Sequence, residues 1–378
     1  MSADTGSIGG AQGFGLAPGE RIAEMVAQGA ILAARDLAPG QIQPASLDLR
    51  LGPKAYRVRA SFLPGPRRRV AEVLASASFD EIDLTGDGAV LERGCVYVVP
   101  LLESLALPGD VAALANPKSS TGRLDIFTRL IADHSEIFDA AAPGYRGPLF
   151  AEVSPRSFSI RAREGSRLNQ IRFRRVDPAA PQVRHTLSDA RLAELHAQAP
   201  LVDGDLALRD GLIVRVALGR GSLGELIGYR AQKHADVIDV DRVGAYPMDE
   251  FWDPIMARPD ARLILDPGEF YILASREKMR IPADLAAEMA PIDPAMGEFR
   301  VHYAGFFDPG FGEGPAGAPC ARGVLEVRSH EVPFVLEDGQ IIARLAFEPL
   351  SQAPRTLYGQ GGVSNYQGQA LKLSKHFR

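Results

Sequence analysis

The 378-residue chain is written twice, and that repeat limits its fold more than any overall property does. "LERGCVYVVPLLESLALPGDVAAL" lines up with "LDPGEFYILASREKMRIPADLAAE", matching Gly94 with Gly268, Tyr97 with Tyr271, Pro108 with Pro282 and Asp110 with Asp284, each 174 residues apart (268 − 94). Glu152 and Glu326, Gly165 and Gly339, and Phe173 and Phe347 keep the same step. A spacing held at three separated anchors implies two copies of one fold, each long enough to bury a core. Between the anchors small compensating gaps are needed.

Within each copy the apolar runs are short, alternate with period two and stop at Gly, Pro or Asp, as in "CVYVVP", "SFSIRA", "FYILAS" and "PFVLED". With 38 Gly and 28 Pro in a chain that is 46% hydrophobic, tight turns between strands are expected rather than long helices. The fold class is therefore mainly β: two tandem antiparallel barrels or sandwiches with short helices. The expected organisation is a first unit over 1–178, a linker with a short helix over 179–211, and a second unit over 212–378. "LSDARLAELHAQ" has the spacing of that linker helix, "APGERIAEMVAQGAI" that of a helix packed on the first unit through Ile22, Met25 and Val26, and 1–15 reads as a disordered leader.

The formal net charge of −5 gives no global field for a nucleic acid. The short basic runs "GPRRRV" and "RFRRV" are expected to be solvated loop or strand-end charges. Cys95 and Cys320, the two cysteines, provide neither a disulfide framework nor a four-cysteine metal site, which fits a reducing cytoplasm. No apolar run approaches a membrane-spanning length, and the start lacks the order of a signal peptide.

One stretch is dense in donors. "NPKSSTGRLD" places Lys118, Ser119, Ser120, Thr121 and Arg123 around Gly122, a set suited to a phosphate chain because charge-assisted hydrogen bonds are roughly twice as strong as neutral ones; an ordinary polar turn is the alternative. It is not a Walker loop. A second phosphate signal, "GRGSLG" (219–224), satisfies G-x-G-x-x-G and has Asp239 downstream. No crossover helix and no βαβ rhythm accompany it, so it reads as a tight turn.

Taken together, "IQPASLDLRLG", "KSSTGR", "APGYRGPLFAEV", "AGFFDPGF", "ARLAFEPLS" and "YGQGGVSNYQGQ" resemble the ordered motifs of the dCTP deaminases, members of the dUTPase-like β-barrel superfamily. The resemblance spans nearly the whole chain as two copies. It implies two dUTPase-like barrels, hydrolysis of dCTP to dUTP and ammonia without zinc, supply of dUTP for dTMP synthesis, and Mg2+ bound with the triphosphate. It also implies dCTP and dUTP as ligands, dTTP as a candidate inhibitor, and a homo-oligomer with trimer-type barrel packing. The H-x-E and P-C-x-x-C signature of zinc deaminases is missing from the sequence, so a glutamate must move the protons.

Two glutamates occupy the family's position, Glu152 and Glu326. The first copy keeps the donor cluster but has extra residues in its hairpin "IFDAAAPGYRG"; the second keeps "FDPGF" and has "IDPAMG" where the cluster should recur. In the superfamily, sites are built between barrels, so the resemblance implies a composite site. Lys118, Ser119, Ser120 and Arg123 of copy one would face Ala304, Asp308 and Glu326 of copy two, with Tyr358 and Gln369 closing over the triphosphate. Arg123 would steady the glutamate or the attacking water, and Asp308 would meet a deoxyribose hydroxyl. Asn365 stands where the family has a lysine. Asp48 and Asp239 are expected beneath the site, and His302 in packing. A dUTP diphosphatase, a bifunctional enzyme, and a nucleotide-sensing module without catalysis are the alternatives.

Overall fold

The computed structural model describes residues 13–177, 185–291, 299–301, 305–329, 331–360 and 366–378. Ala304, Asn365, His302 and the "IDPAMG" segment lie outside these residues, as do 1–12 of the expected leader. Gly15, also assigned to that leader, instead pairs with Arg175 in a two-residue strand.

The chain is mainly β, with strands joined by short helices and turns. In the first half, strand Arg167–Arg175 pairs with Val111–Pro117 and Leu47–Arg50, and strand Val96–Ala106 pairs with Arg146–Pro155. In the second half, Ile341–Pro349 pairs with Leu285–Ala290, and Tyr271–Met279 with Ala321–Ser329.

The repeat is reproduced at the level of register. Tyr97 faces Val153 and Tyr271 faces Val327; Phe173 faces Ala113 and Phe347 faces Ala287. Local chemistry follows suit: the Tyr97 hydroxyl accepts from Glu92 N at 2.9 Å and the Tyr271 hydroxyl from Asp266 N at 3.0 Å. Each bond satisfies a strand-entry amide. Tyr271→Phe should therefore cost about 1 kcal/mol, read as a lowered urea midpoint at unchanged m-value.

Each half has its own apolar core. Leu212, Leu273, Leu325 and Phe347 belong to that of the second half, and Ile22, Leu47, Leu130 and Phe173 to that of the first. Helix Gly19–Ala27 inserts Ile22 and Met25 into the first-half core, while Val26 is only partly buried against it. Helix Asp189–Gln198, capped by the Ser188 hydroxyl, inserts Leu192 and Leu195 into the second-half core and is therefore packed as part of that half. A further core draws on both halves, with Phe158 edge-on to Trp252 at 5.5 Å and Trp252 edge-on to Phe377 at 5.8 Å.

Ion pairs also join the halves. Arg172 and Arg174, expected to be solvated, are buried and half-buried respectively, and pair with Glu288 (3.0 Å) and Glu348 across the junction. Their strand lies at that junction, which the composition of the run cannot show. The "GPRRRV" run also leads into structure, because helix Val70–Ala77 starts at its last residue, with Val70 N held by Asp133 Oδ1 at 2.7 Å.

"GRGSLG" forms a single helical turn, Arg220–Leu223, with the backbone amides of Leu218 and Gly219 held by Asp338 Oδ1. Asp239 is ion-paired with Arg163 at 2.6 Å. No described helix is long and apolar enough to cross a membrane.

Candidate active site

The donor stretch lies between strand Val111–Pro117 and the turn Ser119–Gly122. Lys118 N donates to Leu168 O at 2.9 Å, and Lys118 O accepts from Thr121 N and Gly122 N at 2.9 and 3.0 Å. This tight turn directs Lys118, Ser119, Ser120 and Arg123 to the wall of one cavity of about 190 Å³.

The opposite wall comes from the second half: Asp308, Glu326, Tyr358 and Gln369 line the same cavity. Strand alternation explains how Glu326 arrives there. Its neighbours Leu325 and Val327 point into the second-half core, so Val324 and Glu326 face the other way and line the cleft. The hairpin carrying Asp308 is docked on the first half by Ala45 N, which donates to Asp308 Oδ1 at 3.1 Å. Gly310, at φ 86°, allows residue 357 to close against the hairpin; a Cβ there would lie 2.9 Å from Leu357 Cβ. The next residue, Tyr358, donates its amide to Pro309 O at 2.8 Å, and its ring lies 5.6 Å from that of Phe311.

The electrostatics are those of a buried acid. Glu326 is 5% exposed, and its Oε2 has no protein hydrogen-bond partner. Burial pushes its carboxyl up to about 8, with Arg123 opposing the shift and Asp125 adding to it. Asp308 is likewise raised, to about 7, chiefly by burial.

Arg123 is held on several sides. Its Nη1 donates to Lys372 O and its Nη2 to Gln369 Oε1, both at 2.9 Å, and its guanidinium lies 3.8 Å from the centre of the Tyr366 ring. Gln369 also donates to Arg322 O at 3.0 Å, so it bridges the halves as well as lining the cleft.

Glu152 is placed elsewhere. It has the same register as Glu326, facing Val98 as Glu326 faces Ile272, yet it does not line the cavity. Its Oε1 accepts from Arg129 Nη2 at 2.8 Å, and the guanidinium of Arg129 lies 3.5 Å from the centre of the Phe138 ring. On that face Phe150 packs with Val70 and Leu74 of helix Val70–Ala77. No helix of this kind covers the described part of the matching face in copy two.

Several cleft residues were not singled out by sequence reasoning. Arg167, Gln170, Tyr366 and Lys375 line the cavity, and Asp48, expected beneath the site, forms part of its wall and pairs with Lys118. Tyr366 and the phenylalanines Phe306 and Phe307 lie inside quoted motifs, which was the available signal. Arg167 and Lys375 had none.

A donor turn thus faces a buried carboxyl group across a cleft built between β-strands of both halves, an arrangement suited to a hydrolase acting on a phosphate-bearing substrate. Models of the 2'-deoxycytidine 5'-triphosphate deaminase N-terminal and C-terminal domains match residues 13–177 and 188–377, and the chain belongs to that family.

A crystal structure of 2'-deoxycytidine 5'-triphosphate deaminase from Agrobacterium tumefaciens is 52% identical, covers 90% of this chain and 100% of its own, and superimposes with a TM-score of 0.84. A "dCTP deaminase, dUMP-forming" of Kocuria rhizophila is 34% identical over 115 residues, 29% of this chain; the match spans 56% of the Kocuria protein's length. A probable deoxyuridine 5'-triphosphate nucleotidohydrolase of Methanopyrus kandleri is 30% identical over 147 residues, covering 38% of this chain and 86% of that protein.

Proposed function

We propose that the cleft hydrolyses dCTP to dUTP and ammonia, with Glu326 carrying the protons. The observation that supports this most directly is a buried carboxyl, raised to about 8, in the same cavity as Lys118, Ser119 and Ser120. Water attacks C4 of the cytosine and gives one proton to Glu326 as the C–O bond forms, and Glu326 passes it to N3. The proton of the new C4 hydroxyl then travels by way of Glu326 to the amino group, the C4–N bond breaks as the C4 carbonyl forms, and ammonia leaves. A carboxyl whose affinity for protons lies near the working pH serves as both base and acid. Arg123, which lowers the proton affinity of Glu326, stabilises the carboxylate form.

In this reading Lys118, Ser119 and Ser120 hold phosphates, Asp308 meets the deoxyribose hydroxyl, and Tyr358 and Gln369 close over the triphosphate, Gln369 from the side of Arg123. Among the described residues no group of three or more His, Cys, Asp or Glu is placed to hold a metal. The donor set fits phosphate oxygens, so Mg2+ would enter as the counterion of the triphosphate. Two dUTPase-like barrels per chain, assembled into a homo-oligomer, complete the reading, and dTTP would compete for the same sugar and phosphate contacts.

Incubation with dCTP and Mg2+, followed by separation of dUTP, dUMP and ammonia, tests this. Release of dUTP with ammonia supports deamination, and dUMP with ammonia and pyrophosphate supports the bifunctional reading, which the dUMP-forming Kocuria relative favours. Binding without ammonia leaves a sensor. Because Glu152 is tied to Arg129 away from the cavity, Glu152→Gln should change kcat for dCTP less than about threefold, far below the loss expected for removing a general acid–base. A steady-state assay reads this directly.

A further inference from the structure

Behind the donor turn a second cavity of about 290 Å³ adjoins the first, with Lys118, Ser120, Arg167 and Lys375 on the walls of both. Cations that are brought together and partly buried repel one another unless an anion lies between them. Two carboxylates lie close by. Asp48 pairs with Lys118, at 3.7 Å from Arg167. Asp241, on the wall of the second cavity, is taken up by Arg163 Nη1 at 2.8 Å and the Ser166 hydroxyl at 2.6 Å. Lys375 has no carboxylate of its own among the described residues.

The placement of Lys375 is fixed by its neighbours. The Ser374 hydroxyl donates to Ser120 O at 2.9 Å, the His376 ring lies 2.9 Å from Val240 O, and Lys375 N donates to the Tyr366 hydroxyl at 3.1 Å. Ser374 and His376 are each 2% exposed. A lysine held on both sides by buried anchors, and directed into a polar cavity, is costly without a ligand for its charge.

We infer that Lys375, with Lys118 and Arg167, forms a pocket for the outer phosphates of a polyphosphate chain whose remainder lies along Ser119 and Ser120. The inference rests on the cleft's taking a nucleoside triphosphate. Burial, with repulsion from Lys118 and Arg167, lowers the proton affinity of the Lys375 amine against the opposing attraction of Asp48 and Asp241.

The test is calorimetric titration of the full chain with sodium tripolyphosphate, dCMP and dCTP in turn. Lys375→Met should weaken tripolyphosphate and dCTP by about tenfold or more, the loss expected for a charge-assisted hydrogen bond, and leave dCMP nearly unchanged. Lys375→Arg should recover most of the loss, and Lys375→Gln provides the same comparison if the Met variant folds poorly. The inference fails if the wild type does not bind tripolyphosphate, if Lys375→Met binds it as tightly as the wild type, or if dCMP and dCTP weaken alike. Tripolyphosphate binding that depends on Lys375, without deamination, would overturn the reaction and keep the pocket. Deamination with an unchanged KM in Lys375→Met would do the reverse.

Discussion

Glu326→Gln should bind dCTP and fail to deaminate it, with kcat lowered by about 10²- to 10⁴-fold, the usual worth of a general acid–base. Gln keeps the shape and the hydrogen-bonding capacity but cannot accept the proton of an attacking water. Stopped-time chromatography of dCTP and dUTP reads the first effect, and calorimetry the second.

The same variant carries a stability signature. Glu326 holds its proton more tightly in the folded chain, where its affinity is raised to about 8 from an ordinary 4.5. Its favourable contribution is therefore fully present below about pH 4.5 and is lost as the pH rises through 8. Gln suffers no such loss, so relative to wild type the variant gains stability between pH 5 and 9, on the order of a few kcal/mol. Undiminished turnover in Glu326→Gln, together with loss in Glu152→Gln, would move the chemistry to the first copy.

The second large effect concerns the clamp beside the site. Asp125, fully buried and at φ 55°, accepts from Arg328 Nε at 3.1 Å on both oxygens and is also paired with Nη2. Arg328 belongs to the strand of Glu326, and Asp125 follows Arg123 by two residues, so this pair fixes one wall of the cleft against the other. Arg328→Met strips a buried carboxylate of its guanidinium and should cost about 3 kcal/mol or more. Denaturant titration should show that loss, and kcat/KM for dCTP should fall with it as the two walls lose their alignment. Arg328→Lys should restore little, because an ammonium cannot reproduce the planar fork. Retention of full stability in Arg328→Met would show that this pair does not hold the two halves together.

The buried arginines show where sequence reading stops. "RFRRV" has the composition of a solvated strand end, yet Arg172 is 2% exposed, reaches Glu288 and lies 4.4 Å from the centre of the Phe306 ring. Its partners are more than a hundred residues away. The hydrophobic pattern identifies which residues lie on one face of a strand, but not whether that face meets water or the other half of the chain.

The repeat, the mainly β character, the donor turn at Lys118–Arg123 and the two matched glutamates could all be read from the sequence, because spacing, alternation and residue chemistry are local properties. Which of Glu152 and Glu326 reaches the cleft was not a local matter. Both have the same strand register, and they differ in what covers the strand: side chains of helix Val70–Ala77, with Arg129 and Phe138, over one, and the donor turn of the other half across a cavity from the other. The gathering of Lys375, Arg167 and Lys118 around a shared space had the same origin. It depends on how residues 366–378 cross back onto the first half, and only the tertiary structure fixes that path.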